Sequence, residues 1–469
     1  MVDRSVVVGV DSSTQSTKVE ARRIDTGELL AVGRSSHLPT RPPVSEQDPD
    51  HWWKALVDAF SQLGEVRSQV GAIGVAGQQH GLVLLGEDGS PVRPAKLWND
   101  TTSAPQATAL AATRGSRFWA EGCGSVPVAS FTITKLAWVI DNEPESLEQS
   151  HSILLPHDYL TWRLTGRTVT DRGDASGTGW FDPSNNTYRP DLIETIPNID
   201  SSAIDSIIDR LPTVLAPAEP AGQLTPQAAR QLGVPDNVLV GPGTGDNMAA
   251  ALGLGLEPGD LVISLGTSGT VYSVSNSPTA DPTGLVAGFA DATGRFLPLV
   301  CTLNATKVTD TVARWLGTDA EGLAQLALAA EPQLGSPILT PYFDGERTPN
   351  LPDAKGLLAG LTNETTREDI ALAAYDGVLG GLLGGRDALV AASVDVSGRV
   401  ILIGGGARSH AYRQRAADLT GQPVYIPDED ETVATGAAVQ AAAVACGAEF
   451  SEISGSWNLR RSTMIEPSG

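Results

Sequence analysis

Cysteine is scarce in this sequence, where three residues, Cys123, Cys301 and Cys446, are spread over 469 positions. They form no CxxC pair and no zinc-ligand spacing, and their odd number argues against a disulfide framework. No run approaches the ~20 apolar residues that span a bilayer. The N-terminal segment lacks the basic start and long apolar stretch of a secretory signal. These absences predict a cytoplasmic protein that does not cross a membrane.

Basic residues are also few: 32 lysines and arginines face 55 aspartates and glutamates, which gives a formal net charge of -23. This excess of negative charge argues against general binding to nucleic acid or to an anionic membrane surface. It also repels a phosphorylated ligand at long range. Any phosphate site must therefore act locally, through backbone amides, a metal ion or one well-placed cation.

Several familiar nucleotide and metal motifs are missing. The dipeptide Gly-Lys never occurs, so there is no P-loop, and the sequence has neither the HRD and DFG motifs of protein kinases nor an HExxH motif. The glycines at 404–406 and those at 241, 243 and 245 do not have GxGxxG spacing. Nucleotide sites of these kinds are therefore excluded.

The sequence does contain enough apolar residues for a large core, with 41% hydrophobic and 19% charged positions. Its length predicts two or more domains. A β-branched run at 6–10 leads through a polar turn into a second strand, and a related strand, turn and strand recur at 261–274. This repeat predicts duplicated α/β domains that face each other, although two such hairpins also arise by chance.

Helical periodicity occurs at 50–63, 367–383 and 434–445. Thr432 and Thr435 are candidate caps of the last of these helices. Four prolines at 216–237 indicate a connection with a short helix, and clustered glycines place a domain boundary near 252–260. The polar tail at 450–469 is predicted to be partly disordered or to contact a partner subunit.

Asp11 ends the first buried strand and opens a turn rich in hydroxyl groups. Amides and hydroxyls in such a turn can hold phosphate oxygens, and the carboxylate can hold Mg²⁺. Lys18 would add one cation. The ordinary alternative is an Asx turn that caps a hairpin. The turn at 266–269 offers a second site of the same kind, and two opposed turns would clamp a triphosphate.

Asp246 follows an apolar strand and a glycine-rich segment, 241–245, and precedes a predicted helix. At a helix N-terminus the positive end of the dipole favours the ionised carboxylate. Such a carboxylate could accept a hydroxyl proton as a general base. The ordinary alternative is a helix N-cap.

Gln78, Gln79 and His80 lie between two apolar strands, at 72–76 and 82–85. Polar side chains at the end of a strand can read the hydroxyl groups of a sugar. A structural histidine is the ordinary alternative. The loop at 98–100 adds a tryptophan and two polar residues, or is a plain loop.

Six further segments follow each other in a fixed order: 130–138, 158–166, 170–182, 356–361, 404–407 and 435–438. Together with the turns above, they resemble the FGGY family of carbohydrate kinases, within the actin/hexokinase-like ATPase superfamily. The matching segments run from residue 6 to about residue 446, nearly the whole chain.

The resemblance implies an α/β fold of two actin-like (RNase H-like) domains with an active-site cleft between them. The first, residues 1–252, would carry the sugar side and the first phosphate turn, and the second, residues 253–469, the nucleotide side. ATP, Mg²⁺ and a small pentulose are the implied ligands. The family often forms homodimers, although this sequence shows no interface signature.

The resemblance also implies roles for individual residues. Asp246 would take the proton from the terminal hydroxyl of the sugar, and Asp11 would place Mg²⁺. The sugar would be held by Gln79, His80, Asp246 and Asn247. The nucleotide and its phosphates would lie near Thr14, Gln15, Ser16, Lys18, Gly266, Thr267, Gly405 and Gly406.

The segments at 77–81 and 97–100 look most like those of family members that act on D-xylulose. One departure is Gln79, where the commonest form has methionine before the histidine. The implied reaction is transfer of phosphate from ATP to the C5 hydroxyl of D-xylulose, in D-xylose catabolism.

Two alternatives stay open. One is a family member acting on ribulose, fuculose, gluconate or glycerol, although gluconate calls for a cation near its carboxylate and none adjoins Gln79 and His80 in the sequence. The other is an actin-like nucleotide- or sugar-binding protein without turnover, and the presence of Asp246 argues against it.

Overall fold

The structure of the chain is a computed structural model that describes residues 4–331, 333–429 and 431–468. Residues 1–3, at the start of the predicted first domain, and residue 469, at the end of the predicted tail, lie outside the described residues. The described residues form two seven-stranded sheets, several two-stranded ribbons and the helices that cover them.

The strands lie in chain order as follows: β1 (Val6–Ser12), β2 (Ser16–Arg23), β3 (Leu29–Ser36), β4 (Glu46–Gln47), β5 (Val70–Gly77), β6 (Val83–Leu85), β7 (Ala95–Lys96), β8 (Ser152–Leu154), β9 (Val169–Asp171), β10 (Phe181–Asp182), β11 (Thr187–Tyr188), β12 (Thr213–Leu215), β13 (Gly222–Gln223), β14 (Leu239–Val240), β15 (Thr244–Gly245), β16 (Leu261–Leu265), β17 (Gly269–Ser273), β18 (Ala287–Ala290), β19 (Phe296–Thr302), β20 (Ile338–Thr340), β21 (Leu357–Ala359), β22 (Val400–Ile403), β23 (Val424–Pro427) and β24 (Ser462–Ile465).

The α-helices are α1 (Pro49–Ser61), α2 (Ala104–Arg114), α3 (Ser116–Cys123), α4 (Thr132–Asn142), α5 (Pro144–Glu148), α6 (Pro156–Thr165), α7 (Arg172–Ala175), α8 (Pro190–Ile193), α9 (Ser201–Asp209), α10 (Pro226–Leu232), α11 (Asp246–Gly253), α12 (Thr306–Trp315), α13 (Ala320–Ala329), α14 (Arg367–Ala391), α15 (His410–Thr420), α16 (Thr432–Cys446) and α17 (Phe450–Ser456). Two 3₁₀ helices lie at Gly64–Gln69 and Gly405–Arg408.

The two sheets share a common core topology. The first runs β13-β14-β5-β1-β2-β3, with β15 beside β5, and the second runs β18-β19-β17-β16-β22-β23-β24. Each core has three neighbouring antiparallel strands, β1-β2-β3 or β16-β17-β19, and a later strand, β5 or β22, parallel to the first of them. The second sheet has one extra strand, β18, at its edge beside β19. The predicted duplication is therefore confirmed, as is the α/β class with two actin-like domains.

Helix α16 comes from the second half of the chain but packs on β1 and β5 of the first sheet and on α11. Glycines make this close approach possible: a side chain at Gly9 or Gly74 would clash with the backbone of α16. The same holds between the two helices at Gly253 and Gly436. The two halves are thus joined by a backbone-to-backbone contact beside the cleft.

The structure corrects the predicted helix caps and part of the prediction for the C-terminal tail. Helix α16 begins at Thr432 after Glu431, and Thr435 lies one turn inside, where its hydroxyl donates to the Glu431 carbonyl. The described part of the tail, 450–468, contains α17 and β24, and β24 pairs with β23, which does not agree with partial disorder; contact with a partner subunit stays a prediction. Trp457 Nε1 also donates to the Ile24 carbonyl oxygen at 3.1 Å. Apolar contacts of this tail were hidden by its polar composition.

In the described part of the chain, no single helix has the length and apolar character to cross a bilayer, although the bent pair α16 and α17 passes that test jointly.

Candidate active site

Two cavities meet between the sheets, and both are lined by Asp246, Asn247 and Ser264. The first, called here the aromatic cavity, has a volume of about 290 Å³. Its other lining residues include Gln79, His80, Trp98, Phe131, Ser268, Phe289 and Arg347. The second, called the glycine cavity, has a volume of about 370 Å³. Its other lining residues include Gly404, Gly405, Ala407, Glu429, Glu431 and Thr432.

Asp246 is the first residue of α11, directly after β15, as the sequence predicts. Its Oδ1 accepts hydrogen bonds from the backbone N and the Nδ2 of Asn247, at 2.8 and 2.9 Å. Its Oδ2 has no hydrogen bond to any described residue. Burial, reinforced by the charge of Asp174, raises the pKa of Asp246 to about 7. This is opposite to the direction expected from the helix dipole, because desolvation outweighs it.

Gln79 and Asn247 form one side of the aromatic cavity. Asn247 Nδ2 donates to Gln79 Oε1 at 2.7 Å, which fixes the orientation of both amides. Gln79 Nε2 is buried beside Asp174 and makes no hydrogen bond of good geometry with any described residue. A buried amide donor without a partner is costly, so a ligand oxygen would satisfy it.

His80 is held in an unusual conformation beneath the same cavity, with a φ of 63°. Its ring stacks on Phe131, with centroids 5.3 Å apart, and contacts Phe289 from the opposite half of the chain at 5.3 Å. Burial, with the nearby charges of Lys135 and Arg347, holds the pKa of His80 well below its usual value. The neutral ring can therefore accept a hydrogen bond from a ligand hydroxyl.

Asp11 lies at the end of β1, where its Oδ1 is buried without a hydrogen-bond partner. Burial, followed by the charges of Asp246 and Glu431, raises the pKa of Asp11 to about 7. A cation would relieve both the missing contact and the repulsion. Residues 4–331, 333–429 and 431–468 contain no group of three metal-binding side chains. Mg²⁺ commonly takes one or two carboxylates and completes its shell with water and phosphate, so this lone carboxylate fits.

The predicted first phosphate turn joins β1 to β2. Thr14 Oγ1 accepts from Trp98 Nε1 at 2.9 Å and donates to Gln78 Oε1 at 3.0 Å. Gln15 is exposed, and Ser16 is buried beside it. The turn is thus fixed to the wall of the aromatic cavity.

Lys18 Nζ lies 3.3 Å from Glu20 and 2.8 Å from Glu431. Its charge is therefore already compensated by two carboxylates, which weakens its case as a phosphate ligand.

The predicted second phosphate turn joins β16 to β17 and is anchored by the start of α12. The backbone N of Thr306 donates to the Gly266 carbonyl at 3.0 Å, while Thr267 is exposed. Gly405 lines the glycine cavity with open space beside it, whereas Gly406 packs behind it against Leu265. Of these two glycines, Gly405 is the one that can contact a ligand there.

Sequence reasoning missed several residues that the fold brings to the site. Asp174 contacts His80, and Phe289 and Arg347 line the aromatic cavity from the second half of the chain. The 170–182 segment contains Asp174 and was part of the family resemblance. The sequence therefore indicated that this segment matters, but it gave Asp174 no role in the site. Phe289 and Arg347 had no such signal, since they approach only through the tertiary fold.

Known proteins resemble this chain over nearly its whole length. The model of the FGGY family of carbohydrate kinases matches with its N-terminal domain at residues 6–253 and its C-terminal domain at residues 261–445. The xylulose kinase of Streptomyces coelicolor is 48% identical over 98% of this chain and 92% of its own length. The xylulose kinase of Streptomyces rubiginosus is 47% identical over the same shares.

A solved structure agrees with these sequence relatives. The xylulose kinase of Bifidobacterium adolescentis is 42% identical, superposes with a TM-score of 0.85, and covers 95% of this chain and 94% of its own. The chain belongs to the FGGY family of carbohydrate kinases.

Proposed function

We propose that this chain transfers the γ-phosphate of ATP to the C5 hydroxyl of D-xylulose, giving D-xylulose 5-phosphate, with Asp246 as the general base. The observation that carries the proposal is the position of Asp246, whose carboxylate lines both cavities at their junction. The relatives at 47–48% identity are named xylulose kinases, which supports the choice of sugar. The reaction would serve D-xylose catabolism in the cytoplasm.

The sugar occupies the aromatic cavity in this proposal. Gln79 Nε2 donates to a sugar oxygen, and His80 accepts from a sugar hydroxyl. Asn247 Nδ2 donates to both Gln79 and Asp246 and so fixes the orientation of their side chains. Oδ2 of Asp246 then faces the C5 hydroxyl. A carboxylate whose pKa lies near 7 is well matched to accept a proton at neutral pH.

The nucleotide occupies the glycine cavity, with Gly405 beside the adenosine and the two phosphate turns around the triphosphate. Bound Mg²⁺ would neutralise phosphate charge, and Asp11 would hold it directly or through water. Closure of the halves would exclude water, which competes with the sugar as acceptor. The contact of Lys18 with phosphate stays a prediction. The division of the chain into domains at residue 252 and the formation of a homodimer also stay predictions.

Coupled ADP release tests the proposal directly. The panel is D-xylulose, ribulose, fuculose, gluconate, glycerol and no sugar, each with ATP and Mg²⁺. We expect D-xylulose to give the highest kcat/KM. A higher value with another sugar would overturn the substrate, and no sugar-dependent ADP release would overturn the enzyme.

Gluconate is the second candidate, because the structure corrects one argument against it. Arg347 lines the aromatic cavity, and no described residue pairs with its guanidinium group. A cation that the sequence did not reveal is therefore available for a sugar carboxylate. The panel decides between this reading and the neutral pentulose.

Asp11→Asn should raise the Mg²⁺ concentration needed for half-maximal activity by about ten-fold or more, because the amide cannot supply the negative charge. The measurement is initial rate against free Mg²⁺ at saturating ATP and sugar. Asp25→Asn is the matched control, since Asp25 is exposed in a turn of the same sheet. An unchanged Mg²⁺ requirement in Asp11→Asn would exclude the metal role.

Gln79→Met should raise the KM for D-xylulose by about three- to ten-fold, the effect of losing one hydrogen bond, while the KM for ATP stays within two-fold. Asn247 loses its acceptor in the same variant. Steady-state kinetics with each substrate varied in turn provides the measurement. Equal changes in both KM values would contradict a contact specific to the sugar.

A further inference from the structure

His157, the second residue of α6, is fully buried among three carboxylates. Its Nε2 lies 3.3 Å from Asp158, 3.4 Å from Asp171 and 3.5 Å from Asp174. All four side chains are at most 3% exposed. We call these four residues the His157 cluster.

A protonated imidazole offsets part of the negative charge of the three carboxylates in the His157 cluster. Burial lowers the pKa of His157, but the three carboxylates outweigh it and raise the pKa to about 9. Burial raises the pKa of Asp158 and of Asp174 to about 7 each. The charge of His157 opposes this rise, so the imidazolium favours the ionised forms of Asp158 and Asp174 near neutral pH.

Two carboxylates of the cluster, Asp171 and Asp174, accept hydrogen bonds from the loops that contain the proposed sugar-binding residues. Asp171 accepts from the backbone N of Gly173 and from Thr244 Oγ1, at 2.8 and 2.7 Å. Thr244 is two residues before Asp246. Asp174 Oδ1 accepts from the backbone N of His80 at 3.3 Å.

His157 also packs closely against glycines of the same loops. A Cβ at Gly77 would lie 3.1 Å from the Cβ and the backbone N of His157, and one at Gly243 would lie 2.5 Å from its Nδ1. Gly77 precedes the segment with Gln79 and His80, and Gly243 precedes the segment with Asp246. The ring therefore packs against the loop before Asp246, while the backbone and Cβ of His157 pack against the loop before Gln79.

Asp174 acts on His80 in two ways. It stabilises the left-handed backbone of His80, which is strained for a residue other than glycine. Its Oδ1 is also 3.4 Å from His80 Nδ1 without forming a hydrogen bond, and a negative charge at that position favours the tautomer with the proton on Nδ1. Nε2 is then free to accept from a sugar hydroxyl.

We propose that His157 is a positioning residue, which packs against Asp171 and Asp174 and whose buried positive charge favours an ionised Asp174, so that His80 and the loop before Asp246 are fixed for sugar binding. The inference rests on the proposed sugar phosphorylation, because it assigns His80 and Asp246 to the acceptor. The groups that face the cluster from neighbouring elements are Gln79, His80, Arg172, Tyr188 and Asp246.

His157→Gln is the first test. We expect the KM for the sugar to rise about ten-fold or more while the KM for ATP stays within two-fold. Without the imidazolium, Asp174 becomes protonated and no longer raises the pKa of Asp246. The acid limb of kcat/KM should therefore move to lower pH. His157→Lys, which restores a charge, should return both the sugar KM and the acid limb toward wild type.

If His157 had a purely structural role, His157→Gln would lower the melting temperature without moving the acid limb of kcat/KM. His157→Lys would then behave like His157→Gln. Either result overturns the inference. If His157→Gln does not fold, the isosteric variant Asp174→Asn tests the inference instead. It should raise the sugar KM and move the acid limb in the same direction, and wild-type values for both would overturn the inference.

A spectroscopic measurement separates this inference from the proposed function. In ¹⁵N-histidine spectra of the wild-type protein, His157 should stay doubly protonated until the pH approaches about 9. A neutral His157 at pH 7 overturns the inference even if the sugar is phosphorylated. Absent turnover with a protonated His157 would instead contradict the proposed function.

Discussion

Asp246→Asn is expected to lower kcat by about 10²–10⁴-fold, the range that a general base contributes. The substitution is nearly isosteric, and the amide oxygen can still accept both hydrogen bonds from Asn247. Only the atom in the place of Oδ2 loses its ability to take a proton. The variant should still bind ATP with nearly wild-type affinity, measured by calorimetry, while coupled ADP release with D-xylulose falls.

The pH dependence gives the same test in the wild-type protein. The base works only when ionised, so kcat/KM should fall as the pH drops below about 7, the pKa to which burial raises Asp246. Asp205→Asn, at an exposed position of α9, is the matched control and should leave the profile unchanged. Turnover in Asp246→Asn within ten-fold of wild type would exclude the base assignment.

The two hairpins were predictable because their signals are local. The strand, polar turn and strand at both 6–24 and 261–274 reappear as β1–β2 and β16–β17, since buried β-branched runs and small polar turns specify a hairpin directly. The glycine-rich segment before Asp246 likewise predicted the end of a strand followed by a helix. Such patterns depend on neighbouring residues alone.

The electrostatics of the site were not predictable in the same way. The helix position of Asp246 suggested an ionised carboxylate, yet its pKa depends on its burial in the tertiary fold and on the charge of Asp174. The sequence suggested that the charge of Lys18 is available to a ligand, but in the fold it forms an ion pair with Glu431, more than 400 positions away. Arg347 and Phe289 approach His80 only because the two halves face each other. A sequence shows which groups exist, whereas their desolvation and partners are properties of the tertiary fold.

The second large effect is expected at the contact between α11 and α16, where Gly436→Ala should lower the free energy of unfolding by about 3 kcal/mol, the upper end for overpacking. An added Cβ would overlap the carbonyl oxygen of Ala249 and lie 2.9 Å from the backbone N of Gly253. Both neighbours are backbone, so neither can rotate away. Alanine is the better helix former by about 1 kcal/mol, and the clash exceeds that gain.

Gly384→Ala in α14 is the matched control for Gly436→Ala, since a Cβ there would have no neighbour within 4 Å. It should stabilise the protein by up to about 1 kcal/mol. Thermal and urea unfolding of both variants measure the difference. Because α16 also begins at the glycine cavity, a displaced helix in Gly436→Ala should raise the KM for ATP as well. Equal stability of the two variants would show that the halves are not joined by this close backbone contact.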